Sequence, residues 1–388
     1  MNLDVWQSLL EPSAAELLEA AAACDDFTSP STITRLRKLG DDEQVRAAIE
    51  LTIARRKAAD KFDHPEQMIA DPVGVEQATS LDVARHKAKR FAEAGIDHVV
   101  DLCCGIGGDA IALREHMSVK CIDRDPVRAW MAQHNTGCPA ECADVTTLAR
   151  EGAAYHIDPD RRPGGRRVWC IDDCEPGPEF LHTLNGDGAM KLSPAVDFEQ
   201  LQGFPGGEVE IINRRGTLVQ AVLWTGRLAR HERTATRIDC DTAAPGCAEA
   251  ISMHGSPRYV PLCEPQRYLL AIDPAIERAD LTGELCDQLD LAAIHPALGL
   301  LTSDTPVQSP WLTGFELLAT LPWHEKNLKK IKAALREHDA GLVDVKTRGK
   351  AVDPDRFSPK LRQKGNQHLT VFVLRMDQKH TAFITRRL

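Results

Sequence analysis

The sequence predicts a doubly wound α/β domain with a mainly parallel sheet, preceded by a helical region and followed by a small α+β domain. In the middle of the chain, short apolar runs of strand length alternate with amphipathic segments, which is the pattern of βαβ units. One of these runs leads into the glycine-rich segment DLCCGIGGD. A length of 388 residues leaves room for two or three domains. We place their boundaries at residues 1–92, 93–265 and 290–388.

The first region, residues 1–92, is predicted to be helical. Pro12 and Ser13 give a helix start signal, and further helices are expected over residues 42–62 and 81–94. Pro and Gly in DPVGVEQATS interrupt the helical pattern at residues 71–80. The apolar start of the chain lacks a basic leading segment and contains acidic residues, so an amphipathic helix pair fits it better than a signal peptide. The apolar positions at helical spacing there are Leu9, Ala14, Leu17, Leu18 and Ala21.

The central region, residues 93–265, supplies the predicted parallel sheet. RTATRID, at residues 233–239, is a candidate for a late edge strand antiparallel to the others, and residues 242–265 are expected to form a connection. The predicted strands are HVVDLCC, VKCID, AECADV, AYHID, GAMKLS and VEIIN.

The third region, residues 290–388, alternates strand and helix patterns after a predicted helix at residues 280–291. Its segments FELLATLP, NLKKIKAALREHD, LVDVKTRG, HLTVFVLRM and TAFITRR indicate a small α+β domain. The net charge of the chain is −10, but residues 321–388 hold 9 Lys and 7 Arg against 7 acidic residues, a balance of +9, which leaves −19 on the rest. This asymmetry predicts contact with a polyanion, although a solvated basic surface without a ligand has the same composition.

Twelve cysteines are present, but they form no recognisable framework. Cys138 and Cys142, and likewise Cys170 and Cys174, are four residues apart, whereas zinc ligands are usually separated by two residues and accompanied by His. We therefore expect no metal. No apolar run approaches the roughly 18 residues of a membrane span, and a cytoplasmic location with reduced thiols is expected.

The segment DLCCGIGGD carries the strongest local signal. It follows an apolar run and precedes a helical segment, so free backbone N–H groups at the turn would face a ligand. Gly105 and Gly107 would permit a tight turn and close approach. A dinucleotide fingerprint tolerates Ala110 in place of its third glycine, but the carboxylate of Asp101 would repel a pyrophosphate.

The position of Asp101, four residues before Gly105, resembles motif I of class I S-adenosyl-L-methionine (SAM) dependent methyltransferases. In that family the carboxylate faces the amino-acid end of SAM. Asp123, which ends the next strand, can accept hydrogen bonds from ribose hydroxyls. The resemblance places Asp144 at the adenine amino group. The predicted cofactor-binding residues are Asp101, Cys103, Gly105, Gly107, Asp109, Asp123, Asp144 and Thr79.

Thr79 belongs to a segment before the first strand that is placed like motif X of related enzymes. Thr79 and Ser80 either cap the following helix or help to close over the SAM carboxylate. Both interpretations use the same side-chain hydroxyl groups, so the sequence leaves them open.

The segment HIDPDRRPGGRR ends the fourth strand, and its Asp-Pro resembles the D/N-P-P-Y/F/R motif of methyltransferases that act on nucleobases. A carboxylate there holds an acceptor in line with the SAM methyl group. Asp160 stands where the motif has a second proline, and no aromatic residue follows. Arg161 and Arg162 either grip a phosphate or base or pair with Asp158 and Asp160. The predicted catalytic residues are Asp158, Pro159, Arg161 and Arg162; His156 is interpreted as a packed strand residue.

The order of these motifs, followed by LVDVKTRG near the end, resembles bacterial class I methyltransferases with a C-terminal THUMP-like domain. The resemblance implies a Rossmann-like catalytic core and a small domain analogous to RNA-binding THUMP modules. We therefore expect methyl transfer from SAM to a nucleotide in structured RNA, either tRNA or rRNA. The alternatives are a methyltransferase for a small molecule or protein, and an RNA-binding protein with a non-catalytic SAM site. Candidate phosphate contacts are Lys326, Lys329, Lys330, Lys346, Arg348, Lys350, Arg362 and Lys364.

Overall fold

The computed structural model describes the chain in several stretches. The described residues are 2–148, 152–160, 171–201, 203–204, 207–239, 249–326, 328–348, 351–376 and 379–388. They form two compact units. Unit 1 comprises Met1–Glu232 and Thr236–Ser252, and unit 2 comprises Arg233–Ala235 and Met253–Leu388.

Helices dominate the first 93 residues of unit 1, as predicted. Asp41 and Gln44 form a reciprocal capping box at the start of the longest of them. Where the sequence predicts only a break, Asp71 caps a short helix that begins at Pro72. Ser80 precedes the last helix without capping it through its side chain, so the capping interpretation of Thr79 and Ser80 is wrong. These helices are Leu3–Ser8 (α1), Ala15–Ala22 (α2), Pro30–Leu36 (α3), Asp42–Ala58 (α4), Pro72–Gln77 (α5) and Leu81–Glu93 (α6).

The sheet of unit 1 contains nine strands among the described residues. Three short helices lie between them: Ala110–Leu113 (α7), Pro126–Thr136 (α8) and Pro178–Leu181 (α9). The strands are His98–Leu102 (β1), Ser118–Asp123 (β2), Ala140–Cys142 (β3), Ala154–Ile157 (β4), Gly188–Leu192 (β5), Glu208–Arg214 (β6), Thr217–Thr225 (β7), Arg233–Asp239 (β8) and Glu249–Gly255 (β9).

The strand order β3-β2-β1-β4-β5-β7-β6-β8-β9 explains where a ligand can bind. The first five strands in this order are parallel, and the chain reverses direction across the sheet between β1 and β4. Such a switch point opens a crevice at the carboxyl ends of the strands. The predicted fold class, a Rossmann-like core with a helical N-terminal segment and a small C-terminal α+β domain, is confirmed.

Two strands differ from the prediction. β7 runs antiparallel between β5 and β6, and β9 lies within the predicted connection at residues 242–265. β6 and β7 are joined through Arg215 and Gly216, which both have positive φ, at 52° and 82°, as a two-residue type I′ hairpin requires. The sequence Arg-Gly is a weaker hairpin signal than Asn-Gly or Asp-Gly, which is why the hairpin and its second strand, β7, were missed, although β6 was predicted as VEIIN.

The N-terminal helices and the sheet of unit 1 share one hydrophobic core. Side chains from α1 to α6, such as Trp6, Leu51 and Phe91, belong to the same buried cluster as Val99 of β1 and Val222 of β7. Because of this packing, α6 lies against the sheet and can bring polar side chains to the strand ends.

Unit 2 contains a seven-stranded sheet in the order β11-β12-β10-β13-β16-β15-β14 among its described residues. The strands predicted near the C-terminus are present, while β10, β11, β12, α10 and α13 were not predicted. Buried side chains of α12 and α13, including Ile331 and Phe357, pack with strand residues such as Val371. The elements are Tyr268–Ile272 (β10), Pro274–Arg278 (α10), Thr282–Leu289 (α11), Ala292–Ala293 (β11), Leu300–Ser303 (β12), Leu312–Pro322 (β13), Lys329–Glu337 (α12), Ala340–Thr347 (β14), Pro354–Leu361 (α13), Gln367–Met376 (β15) and Lys379–Arg387 (β16).

Across the described parts of both units, every helix is too short or too polar to traverse a lipid bilayer.

Candidate cofactor and acceptor site

A cavity of about 640 Å³ lies in unit 1 at the carboxyl ends of the parallel strands. It is large enough for a nucleoside-sized ligand. Gly107 is not among its lining residues, and the predicted Arg161 and Arg162 lie outside the described residues. The predicted residues that line the cavity are Thr79, Asp101, Cys103, Gly105, Asp109, Asp123, Asp144, Asp158 and Pro159.

The turn after β1 adopts the left-handed backbone that its glycines predict. Gly105 and Gly107 have φ of 56° and 84°, and Cys103 has φ of 57°, which is uncommon for a residue with a side chain. A Cβ on Gly107 would meet the Thr136 side chain at 2.7 Å. Gly107 therefore allows the turn to pack against α8, whereas Gly105 and Cys103 face the cavity.

Asp123, at the end of β2, is bonded to the same turn. Its Oδ2 accepts a hydrogen bond from the Gly105 N–H at 2.9 Å, and its Oδ1 accepts one from the Asp125 N–H at 3.0 Å. Burial raises the pKa of this carboxyl, against the effect of the two backbone donors. Each oxygen retains a lone pair, so Asp123 can still accept a hydrogen bond from a hydroxyl in the cavity.

Asp144 follows β3 and starts a short 3-10 turn. Its Oδ1 accepts hydrogen bonds from the Thr146 hydroxyl at 2.7 Å and the Thr146 N–H at 2.9 Å. These two bonds lower the pKa of the exposed Asp144 carboxyl. One oxygen is thus held by its own turn, and the other is the one that can face a ligand.

Asp101 and Asp109 are joined by two buried basic side chains, His156 and Lys87. His156 Nδ1 lies 2.7 Å from Asp101 Oδ1, and His156 Nε2 lies 3.0 Å from Lys87 Nζ. Lys87 Nζ is 2.6 Å from Asp109 Oδ1, and the Thr79 hydroxyl donates to Asp109 Oδ2 at 2.8 Å. We call Asp101, His156, Lys87 and Asp109 the buried tetrad.

The two carboxylates of the buried tetrad respond to it in opposite directions. Burial raises the pKa of Asp101, and the hydrogen bond from His156 offsets only part of that effect. Burial acts in the same direction on Asp109, but the ammonium groups of Lys87 and Lys191 hold its pKa well below the usual range. Asp101 Oδ2 is buried and has no hydrogen-bond partner among the described residues.

Asp158, beyond the end of β4, is paired with Lys191 of β5. The Lys191 Nζ lies 2.5 Å from Asp158 Oδ2 and donates to the Gln77 carbonyl at 3.2 Å. Lys191 is 4% exposed, so this pair is held rigidly at the cavity wall. Alternation along β4 puts His156 and Asp158 on one face of the sheet, and the register of β4 with β5 puts Lys191 on that face as well.

Lys61 holds the loop that forms another wall of the cavity. Its ammonium donates to the carbonyls of Val75, Glu76 and Ala78 at 2.8–2.9 Å. Burial and the neighbouring cations lower the pKa of Lys61 to about 8. The loop before α6, which contains Thr79, therefore depends on a side chain that lies three residues beyond the end of α4.

Sequence reasoning missed Lys87, His156 and Lys191 as site residues. Lys191 and His156 interrupt the apolar runs GAMKLS and AYHID, and Lys87 lies on the buried face of α6. Charged and titratable residues are rarely fully buried without a partner, so their position in apolar patterns was the available signal. His156 is indeed packed in its strand, but it also joins Asp101 to Lys87.

The described residues contain no cluster of three or more His, Cys, Asp or Glu side chains with metal-binding geometry. Cys138 is buried and Cys142 is exposed, whereas Cys170 lies outside the described residues.

Comparison with known proteins gives matches for both units. Two Mycobacterium tuberculosis proteins, from strains CDC 1551 / Oshkosh and ATCC 25618 / H37Rv, are named as uncharacterized S-adenosylmethionine-dependent methyltransferases. Each is 32% identical over 356 residues, which cover 87% of this chain and 94% of the relative. This chain belongs to the S-adenosylmethionine-dependent methyltransferases.

Two further matches concern the C-terminal residues of this methyltransferase and the fold of its whole chain. Residues 312–387 match the family described as THUMP domain-like, and these bounds coincide with the start of β13 and the end of β16. The crystal structure of a putative methyltransferase from Porphyromonas gingivalis W83 has a TM-score of 0.67. It is 17% identical and covers 99% of this chain and 98% of its own, which shows a shared fold.

The predicted cofactor, SAM, is confirmed by this family membership. The cavity of the methyltransferase fits that molecule by its own chemistry. The unpaired Oδ2 of Asp101 calls for a hydrogen-bond donor, and the amino group of SAM is a cationic donor. Asp123 and Asp144 add acceptors at the ends of the two neighbouring strands, where hydroxyl and amino groups of a nucleoside would be bound.

Proposed function

We propose that this methyltransferase modifies a nucleotide in structured RNA, with tRNA or rRNA as the substrate class. The observation that carries the proposal is the THUMP domain-like match at residues 312–387 together with the charge of +9 over residues 321–388, from 16 basic and 7 acidic residues. Clustered basic side chains bind the phosphate backbone without reading its sequence.

The candidate phosphate contacts are mostly exposed in unit 2. Helix α12 buries Ile331 and Leu335 on one face and exposes Lys329 and Lys330 on the other. Arg348 is half-buried and pairs with Glu277 at 3.2 Å, which makes it a weaker candidate. Lys350 lies outside the described residues. The remaining exposed candidates are Lys326, Lys346, Arg362 and Lys364.

For the cofactor, we assign Asp101 to the amino group of SAM, Asp123 to the ribose hydroxyls and Asp144 to the adenine amino group. Gly105 and Cys103 form the turn against which the amino-acid end lies. When bound, SAM supplies a methyl group on a sulfonium, which a nucleophile can take without further activation of the cofactor. The protein then has to align the acceptor with this methyl group.

Asp158 is assigned to that alignment. The ion pair with Lys191, at 2.5 Å, fixes the direction of the Asp158 carboxylate, and its other oxygen is available to accept a hydrogen bond from an amino or imino group on the acceptor. Lys191 and the carboxylate together present a donor beside an acceptor, which matches the polar edge of a nucleobase. Pro159 limits the backbone freedom of the loop that follows.

The test is transfer of labelled methyl groups from SAM to total RNA, total protein and a small-metabolite extract, each offered to the full-length protein. We expect label in RNA, a loss of at least 100-fold in rate for Asp158→Asn, and unchanged S-adenosylhomocysteine binding in that variant. Asp25→Asn, at an exposed acid outside the cavity, is the matched control. Label confined to metabolites or protein would contradict the RNA proposal.

RNA binding without any turnover, unchanged by Asp158→Asn, would instead indicate an RNA-binding protein with a non-catalytic SAM site. Filter binding of RNA on the same preparation separates these outcomes, because it measures binding while the labelling assay measures transfer.

A further inference from the structure

The buried tetrad lies at the switch point of the sheet, where β1 and β4 are direct neighbours. Asp101 and His156 are register partners in these two strands, so they point to the same face, and α6 brings Lys87 to that face from the helical region. Asp101, His156 and Lys87 are each 1% exposed, and Asp109 is 6% exposed. Water therefore supplies little hydrogen bonding to these groups.

The hydrogen-bond inventory fixes where the protons lie. An ammonium has three donors and no acceptor, and the Lys87 ammonium is ion-paired with Asp109 at 2.6 Å. Lys87 must then donate to His156 Nε2, 3.0 Å away. His156 consequently carries its proton on Nδ1 and donates it to Asp101 Oδ1 at 2.7 Å.

With the protons placed in this way, the buried tetrad lacks one positive charge. With Asp101 and Asp109 negative, Lys87 positive and His156 neutral, the buried tetrad has a net charge of −1. Two carboxylate oxygens of the tetrad, Asp101 Oδ2 and Asp109 Oδ1, accept no hydrogen bond from the described residues. Asp109 Oδ1 is ion-paired with Lys87 at 2.6 Å, whereas Asp101 Oδ2 has no such partner there, and Asp101 lines the cavity. A buried charge is tolerated when it is paired, so the site is complete only with a cationic donor on the cavity side.

We propose that His156 is a positioning residue for cofactor binding, which holds the Asp101 carboxylate so that Oδ2 meets the amino group of SAM. Lys87 assists by selecting the Nδ1–H tautomer of His156. The inference rests on the assignment of Asp101 to that amino group under the proposed function. His156 acts through Asp101 and makes no contact of its own with the reacting atoms.

The test compares two ligands that differ at the amino-acid end. S-Adenosylhomocysteine carries the amino group, whereas 5′-methylthioadenosine retains the nucleoside and sulfur but lacks that end. In isothermal titration of full-length protein, His156→Leu should weaken S-adenosylhomocysteine binding at least 10-fold and change 5′-methylthioadenosine binding less than twofold. His156→Asn, whose side-chain amide N–H takes the place of Nδ1–H, should recover most of the lost affinity.

Each outcome decides the matter. If His156→Leu lost affinity equally for both ligands, His156 would have a merely structural role. If it lost affinity for neither, a positioning role would be excluded. Either result overturns the inference. A wild-type protein that binds 5′-methylthioadenosine but discriminates against S-adenosylhomocysteine would instead overturn the assignment of Asp101 itself. As a measurement on unaltered protein, ¹⁵N NMR should place the His156 proton on Nδ1, and a proton on Nε2 would contradict the proposed bonding.

Discussion

Glu210 of β6 is fully buried and anchors α6 to the sheet, so its replacement by Gln should cost stability in a pH-dependent way. Its carboxylate lies 2.7 Å from His86 Nε2 and accepts a 2.7 Å hydrogen bond from the Trp224 indole, and Arg90 is 3.7 Å away. Burial alone would raise the pKa of Glu210, but His86, Arg90 and Thr236 lower it from 4.5 to about 2.

The magnitude follows from that pKa difference. A drop from 4.5 to about 2 corresponds to about 3 kcal/mol of stability, since each pKa unit is worth about 1.4 kcal/mol. A lowered pKa in the folded state means that the contribution is present above pH 4.5 and is lost as the pH falls towards 2. About half of it should remain near pH 3.

The assay is urea unfolding of wild type and Glu210→Gln between pH 7 and pH 3, followed by circular dichroism and tryptophan fluorescence. We expect the variant to be less stable by about 3 kcal/mol at pH 7, with a difference that narrows in acid. Glu50→Gln, at a surface carboxylate that pairs with Arg46 on α4, is the control and should change stability by less than about 1 kcal/mol. A difference between Glu210→Gln and wild type that is independent of pH would refute the reasoning.

Three further predictions follow from the cavity and the basic surface. Lys61→Met removes a donor from three backbone carbonyls, so it should lower the free energy of unfolding by about 1–3 kcal/mol and weaken S-adenosylhomocysteine binding. Melting curves and titration measure the two effects. Unchanged affinity would contradict the role of Lys61 in shaping the loop. Burial raises the pKa of Asp101 above 3.8, so the affinity for S-adenosylhomocysteine should fall as the pH decreases through the pKa of this carboxyl. Asp101→Asn should bind the ligand weakly at every pH. If the affinity of the variant fell with pH as that of the wild type does, the assignment of Asp101 would be refuted. Replacing Lys329 and Lys330 by Ala should reduce the slope of log affinity for RNA against log salt concentration by up to about 2, roughly 1 for each phosphate that is no longer neutralised. Lys38→Ala, at an exposed lysine of unit 1, is the control and should leave the slope unchanged.

The parallel half of the sheet was predictable because its signals are local. Each of β1, β2, β4 and β5 is a short apolar run that ends near a polar residue or glycine, and the glycine-rich turn identifies the edge at which a ligand binds. β7 was not predictable in the same way, since its place between β5 and β6 depends on pairing with β5, which is distant in sequence. The Arg215–Gly216 hairpin was the one local signal, and it lacks the residues usual in such turns.

The candidate site shows the same limit. Asp101, Asp123 and Asp158 could be named because each follows a predicted strand, where open α/β sheets bind ligands. The partners that set their properties, Lys87 and Lys191, were missed: their place in apolar patterns hints at burial, but which carboxylate each one meets is decided by tertiary packing. Thr79 lines the cavity as expected of a motif X residue, but its hydroxyl is used by Asp109.

The position of α6 has a consequence for how the protein can be divided. Lys87 neutralises Asp109, and Arg90 of the same helix pairs with Glu208. A fragment that starts at residue 93, where the predicted catalytic domain begins, would lack Lys87 and Arg90, the basic partners of these two buried carboxylates. Truncations, domain fusions and any natural recombination of this core must therefore carry α6 along, which makes the smallest autonomous SAM-binding fragment one that begins before Leu81.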